Sequence, residues 1–172
     1  DLFKLSCKVS AKRLFPNFSF MDSTFNKQYY KGDYRTEVCY MGCRTRVIGN
    51  VVDPDKAVTP GRGNLSFTSI NLPRLGIKHG IVLGESKMDL AGFYAELDDL
   101  MDMVKEQLLD RFEIQCNKRI YNFPFLLGQG VWMDSDKLKT TDRLRKVLKH
   151  GTLSIGFIGL AECLKALTGK HH

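Results

Sequence analysis

Apolar residues recur at three- and four-residue steps between 89 and 119. Leu90, Phe93, Leu97, Leu100, Met101, Val104, Leu108 and Phe112 carry the pattern, with acids and lysines between them. That period predicts a long framework helix with one buried stripe, capped at its start by Ser86 or Asp89. Leu2, Leu5, Val9 and Leu14 among lysines predict an amphipathic helix over 2–14 that stops before Phe15-Pro16. Cys7 within it reads as a small buried core residue. Residues 65–72 alternate in polarity along part of their length and are rich in β-formers, a strand ended by Pro73. Leu138, Leu144, Val147 and Leu148 form the apolar side of a second helix over 135–150, with Gly151 after its end. Residues 152–158 read as a buried strand. Gly156 and Gly159 bracket the step from it into a last helix over 160–167, closed by Gly169.

The stretches between these elements are irregular. Residues 17–33 are mixed in polarity and turn at Lys31-Gly32-Asp33. Val47-Ile48 and Val51-Val52 are strand pieces around Gly49-Asn50, and Asp53-Pro54-Asp55 and Thr59-Pro60-Gly61 carry turn chemistry. Residues 121–131 are aromatic and broken by Pro124, Gly128 and Gly130, a loop or short strand. Helices and strands together predict an α/β class. No repeat or low-complexity linker divides the 172 residues, so they are expected to form one soluble globular unit with one core.

No run approaches about eighteen consecutive apolar residues, so no membrane span is predicted. The chain starts at Asp1 without an initiator Met and stops just after a helix, which suggests a piece of something longer; His171 and His172 are either native or an added tag. The net charge of +7 suits an anionic partner. Arg44, Arg46, Arg62 and Arg74 gather around the segments described next, whereas Lys137 to Lys149 read as a solvated helix face. No basic stripe with aromatic stacking platforms is evident, so nucleic acid is not an expected partner. Five cysteines at irregular spacing do not form a secreted disulfide framework and fit reduced thiols in the cytoplasm. Cys39 and Cys43 have no second pair in reach, and Cys116, Cys163 and the histidines lack zinc-ligand spacing, so no metal is expected to bind here.

The candidate chemistry centres on Val38-Cys39-Tyr40-Met41-Gly42-Cys43-Arg44-Thr45-Arg46. Two cysteines beside a glycine and two arginines, without periodicity, suit a loop that delivers a sulfur to a defined place. Gly42 permits a tight bend. Together, Met41-Gly42-Cys43-Arg44, the run from Gly61-Arg62-Gly63-Asn64-Leu65 to Asn71-Leu72-Pro73-Arg74, and the run from Ser154 to Glu162 resemble, in order, the anaerobic (class III) ribonucleoside-triphosphate reductases.

The resemblance implies a single fragment, residues 1–172, of a ten-stranded α/β barrel of the glycyl-radical type. Its finger loop would span about 38–64 and its candidate phosphate turn 152–162. Replacing a ribose hydroxyl by hydrogen lies beyond ordinary acids, bases and nucleophiles. A cysteine thiyl suits it because S–H and sugar C–H bonds are close in strength. By position Cys43 would be that transient thiyl. An asparagine would hydrogen-bond the ribose without titrating; spacing from Cys43 favours Asn64 as the catalytic one, with Asn71 as a substrate contact. Either could instead serve a turn or a strand end. Cys39 is a redox partner of Cys43 or, more simply, structural.

Ser154, Ile155, Gly156, Phe157, Ile158 and Gly159 run from a strand into a helix start, where free N–H groups can cradle phosphate; glycines at such a junction also serve plain tight turns. Arg44 and Arg62 either help neutralise a triphosphate or pair with Asp53 and Asp55.

The implied parent takes a ribonucleoside triphosphate as substrate and formate as reductant. It is served by a radical-SAM activating enzyme, pairs as a homodimer, carries a glycyl radical and holds zinc in a four-cysteine C-terminal module. Neither the glycyl-radical motif nor the cysteine quartet occurs in these residues, so on their own they are expected to be inactive and to bind no cofactor. The alternatives are a non-catalytic nucleotide-binding or subunit-interaction fragment, and a related glycyl-radical enzyme acting on another substrate, against which the Asn64 segment argues.

Overall fold

The computed structural model describes residues 1–42 and 45–171. Where one unit is expected, contacts divide the chain into two compact units, Asp1–Gly63 and Asn64–His172. The division falls at the turn-rich Thr59 to Gly63, where Pro60 and two glycines interrupt regular structure.

The first unit opens with α1 (Leu2–Arg13). The Asp1 side chain accepts from Phe3 N at 3.1 Å, and Leu14, left-handed at φ 58°, ends the helix by donating to Ser10 O. No residue of α1 is buried, and Cys7 is exposed rather than in a core. The apolar side predicted for this helix meets little beyond an edge-on contact of Phe3 with Phe18, so amphipathic spacing here does not translate into burial. A short α2 (Thr24–Lys27) follows in the irregular region. Then β1 (Cys39–Met41) pairs antiparallel with β2 (Thr45–Val47), Met41 opposite Thr45. Val51 and Val52 are exposed and form no strand, because Asn50 Oδ1 accepts from both Val52 N and Asp53 N at 3.2 Å and folds the chain into a turn.

Among the described residues of this unit only Val38 and Val47 are buried apolar side chains, against the buried polar residues Asn26, Thr36, Asn50 and Thr59. Asn26 Nδ2 donates to Phe20 O at 2.9 Å and Tyr40 Oη at 3.2 Å. Thr59 Oγ1 donates to Glu37 O at 2.9 Å. The unit is held by side chains that satisfy turns rather than by an oily core.

The second unit begins with β3 (Asn64–Asn71), which runs directly into α3 (Leu72–His79). Pro73 ends the strand as expected, and it does so by starting a helix, where its missing N–H costs nothing. The long helix appears as α4 (Leu90–Cys116), its cap Asp89 accepting from Gly92 N at 2.9 Å.

The predicted 135–150 helix is absent. Ser135–Lys137 makes a single 3-10 turn, and only α5 (Arg145–Leu148) is α-helical. Asp142 accepts from Lys139 N at 3.0 Å, and backbone N–H groups of Ile120 and Tyr121 bond to Asp142 O and Thr140 O. Turn-forming Thr140-Thr141-Asp142 thus takes the backbone away from a helix. Residues 121–131 form turns, not a strand.

β4 (Thr152–Ile158) pairs parallel with β3, and α6 (Leu160–Thr168) closes on Gly169 in the left-handed region. The β4 strand is only partly buried: Ile155, Phe157 and Ile158 are 39%, 60% and 59% exposed, since β3 is its sole strand neighbour among the described residues. This is an α/β arrangement of two two-stranded sheets, with no closed barrel among the described residues.

Two apolar clusters support the second unit. Ile70, Leu72, Leu75, Phe93, Val104, Leu108, Cys163 and Leu167 join β3, α3, α4 and α6. Cys116, Ile120, Leu127, Trp132, Leu144, Val147 and Leu148 form the second. At 27 residues, roughly 40 Å long, α4 contributes to both. The α3 and α6 backbones nearly touch: a Cβ on Gly76 would lie 2.6 Å from Cys163 O, and one on Gly80 2.2 Å from Ala166 O. At the far end of α3, His79 Nε2 and Lys78 Nζ both reach Glu96 Oε2 on α4 at 2.6 Å.

These contacts generate two expectations, both read by the fluorescence of the single, buried Trp132 during denaturation. Gly76→Ala should lower the stability of this unit by about 1–3 kcal/mol through overpacking. Helix propensity alone would raise it, so a higher midpoint would refute the close crossing. Bonding from Lys78, then His79, holds the Glu96 carboxyl below its ordinary value. A depressed carboxylate stabilises above its unfolded pKa and loses that effect as pH falls through the folded one. Stability should therefore drop in acid below the usual carboxylate range, and Glu96→Gln should remove part of that drop.

Candidate functional site

The parallel pairing brings two of the predicted substrate residues, Asn71 and Gly159, to one edge of the second unit. Both strands run the same way into helices, so Asn71 and Gly159, the N-caps of α3 and α6, lie at adjacent strand ends, with Asn71 opposite Ile158. The carboxyl ends of parallel strands are where α/β sheets take ligands. Gly159 has φ 69°, and a Cβ there would lie 2.3 Å from Pro73 Cγ. Its missing side chain is what lets the two corners touch.

The α6 N-terminus has no side-chain cap, so the amides of its first turn point outward beside Glu162, which the helix dipole favours there. The Asn71 side chain accepts from Arg74 N at 3.3 Å. Asn71 therefore serves as a helix cap, the simpler of the roles expected for it. Arg74 is exposed in the first turn of α3 and has no ion pair among the described residues.

Strand partners share a face, and the register sorts the candidate residues into two sets. Phe67 pairs with Ser154, Ser69 with Gly156 and Asn71 with Ile158, on one open face. A Cβ on Gly156 would lie 3.3 Å from Ser69 Oγ, which fixes their common side. Ile155 and Phe157 pair with Thr68 and Ile70, on the side that carries the helices. Ser154, Gly156 and Ile158 are thus brought together with Asn71, whereas Ile155 and Phe157 are turned away from them.

Asn64 reaches this open face by an irregularity. It lies opposite Thr152 while Ser66 lies opposite Leu153, so two steps of β3 face one step of β4 and Leu65 is a bulge. Simple alternation would place Asn64 with Ser66 and Thr68, whose hydroxyls engage Arg111 and Gln107 of α4. Instead Asn64 Oδ1 accepts hydrogen bonds from Thr152 Oγ1 and, at 3.3 Å, from Ser154 Oγ. The residues around Leu65 carry no local signal for the bulge. Thr152 could have been singled out, since it alternates with Ser154 and Gly156.

In the first unit, Gly42 has φ 57° at the end of β1, the left-handed bend expected of it. The proposed thiyl Cys43 and its neighbour Arg44 lie outside the described residues. Cys39 is exposed on β1, so it has no buried structural role. Arg46 stacks on Phe25 at 3.6 Å, with Tyr29 at 5.4 Å. Arg62 Nη1 donates to the carbonyls of Gly49 and Val58, and burial pulls its pKa down. Arg62 thus braces carbonyls of its own unit, and Asp53 pairs with Lys56 at 3.5 Å.

Burial raises the Cys116 and Cys163 thiols above their ordinary value, which suits inert core residues. Among the described residues no group of three or more His, Cys, Asp or Glu is arranged to hold a metal ion. Nor is any helix long and apolar enough to cross a membrane.

A family model described as anaerobic ribonucleoside-triphosphate reductase matches residues 1–172. Curated proteins of that name are similar along the chain. The Haemophilus influenzae protein is 28% identical over 174 residues, covering 100% of this chain and 22% of the relative. The Salmonella typhimurium protein is 26% identical with the same coverage. The phage T4 protein is 26% identical, covering 99% of this chain and 27% of the relative. The chain therefore spans about a quarter or less of the length of these relatives.

The cap role of Asn71 is open to measurement. Asn71→Ala should cost about 0.5–2 kcal/mol and Asn71→Asp much less, read by Trp132 fluorescence in denaturant. An unchanged midpoint for Asn71→Ala would show that the side chain does not hold the start of α3.

Proposed function

The chain belongs to the anaerobic ribonucleoside-triphosphate reductase family, and from that premise we propose that it forms part of the catalytic region of an oxygen-independent ribonucleotide reductase. The match along all 172 residues carries the reading. The overall conversion takes a ribonucleoside triphosphate, formate and a proton to the deoxyribonucleoside triphosphate, carbon dioxide and water. Here Cys43 is the thiol that exchanges a hydrogen atom with the sugar, Asn64 meets a sugar hydroxyl, and the corner at Gly156–Glu162 takes the phosphates. The phosphate assignment is supported by the uncapped α6 amides, which lie beside Asn71 at the strand carboxyl ends. The Asn64 assignment is supported by its place at the amino end of β3 on the same open face, which is polar at Ser69, Asn71 and Ser154. Arg44 is assigned to the phosphates by its place beside Cys43, and Arg74 is a second cation for them.

We place the β3/β4 pair within a ten-stranded α/β barrel. The exposed Phe67, Ile155, Phe157 and Ile158 support this, since such side chains call for a further covering layer. The same exposure favours, as a second reading, a subunit-interaction role without catalysis. The parent's glycyl radical, activating enzyme, homodimer and cytoplasmic setting follow from the family resemblance alone. Zinc has no fitting ligand set among the described residues, and it has no role in the steps assigned here.

Amide exchange of the 172-residue chain with and without cytidine triphosphate tests the nucleotide reading. Slower exchange over 156–162 is expected, and unchanged exchange there would overturn the phosphate cradle. Anaerobic incubation of these residues alone with cytidine triphosphate and formate should yield no deoxynucleotide. Product from them would show that no further segment is needed.

A further inference from the structure

We propose that Thr152 and Ser154 are positioning residues for Asn64, and that the bulge at Leu65 exists to deliver Asn64 to them. This rests on the reading of Asn64 as a sugar contact but concerns different residues and a different device. A strand of regular alternation would turn Asn64 toward α4, the side of Ser66 and Thr68. One extra residue reverses that direction, and bulges re-aim side chains in this way.

The bulge is itself held on both sides. Leu65 O accepts from Gln115 Nε2 of α4 at 3.0 Å. The Leu65 side chain lies so near Gly151 that a Cβ there would be 2.5 Å from Leu65 Cγ. Leu65 also packs against the second apolar cluster. The irregularity is anchored by a helix, a glycine and a core, so it is not a fraying end.

On the open face the Asn64 amide then has a defined sense. Its oxygen accepts from two hydroxyls, Thr152 Oγ1 and Ser154 Oγ, which uses both of its acceptor sites. The Nδ2 group keeps two N–H donors, with no partner among the described residues. A ligand group at this spot must therefore offer acceptor oxygens, as the hydroxyls of a sugar do. A carboxylate at position 64 would keep both hydroxyl contacts and present no donor at all.

The test is nitrogen-15 relaxation of the Asn64 side-chain amide in the 172-residue chain, first without nucleotide. The amide should be ordered like rigid backbone, with an order parameter of about 0.85, and fall below about 0.6 in T152V/S154A, while the resonances of β3 and β4 stay in place. A mobile amide in the unsubstituted chain, or an equally ordered one in the double variant, overturns the proposal. Should the double substitution unfold the pair, T152V alone gives the same reading.

Cytidine triphosphate and its 2′,3′-dideoxy analogue then probe the ligand class. The first should shift the Asn64 Nδ2 resonances; the second, which keeps the phosphates, should not. Equal shifts overturn the hydroxyl assignment. An amide ordered in the unsubstituted chain and released in the variant, with neither nucleotide bound, would uphold the positioning role while rejecting the nucleotide reading.

Discussion

The second unit depends on laying two strands side by side that are separated along the chain by the whole of α3, α4 and α5. Parallel pairing cannot be closed by a hairpin, so the crossover must pack well enough to offset the entropy of closing so long a loop. That requirement explains the two apolar clusters and the long helix that joins them. It also explains why Gly76 and Gly80 let α3 and α6 approach at backbone distance. Once the strands are parallel, their carboxyl ends and the starts of both following helices lie at one edge without further instruction. The polar corner is a consequence of topology.

The first unit is built on a different principle. Its buried residues are mostly Asn and Thr side chains bonded to backbone groups, and its hairpin is short. Arg46 and Arg62 are spent on local structure, one stacked on aromatic rings and the other on carbonyls. The left-handed Gly42 at the end of β1 suits the role proposed for the residue that follows it.

Much of this was legible in the residues. The α4 stripe, the strands near 65–72 and 152–158, the last helix with its closing Gly169, and the Gly42 bend all follow from local period and glycine chemistry. The failures share a cause. The segment 135–150 has apolar spacing compatible with a helix, yet its Thr140-Thr141-Asp142 bonds to the residues after α4. The α1 stripe has the right period and nothing to bury it, and Cys7 stays exposed with it. Where local preference and long-range partners disagree, the partners decide.

For the candidate site the same boundary applies. Sequence alone established the family motifs, a strand over 152–158, and the glycine at the strand-to-helix step, because each is carried by a few adjacent residues. Only the tertiary structure decided that Ile155 and Phe157 face away from Ser154, that Asn71 caps α3, and that Asn64 turns onto the open face. Those outcomes depend on register between strands far apart in the chain. A single unpaired residue at Leu65 is enough to reverse the direction of a side chain.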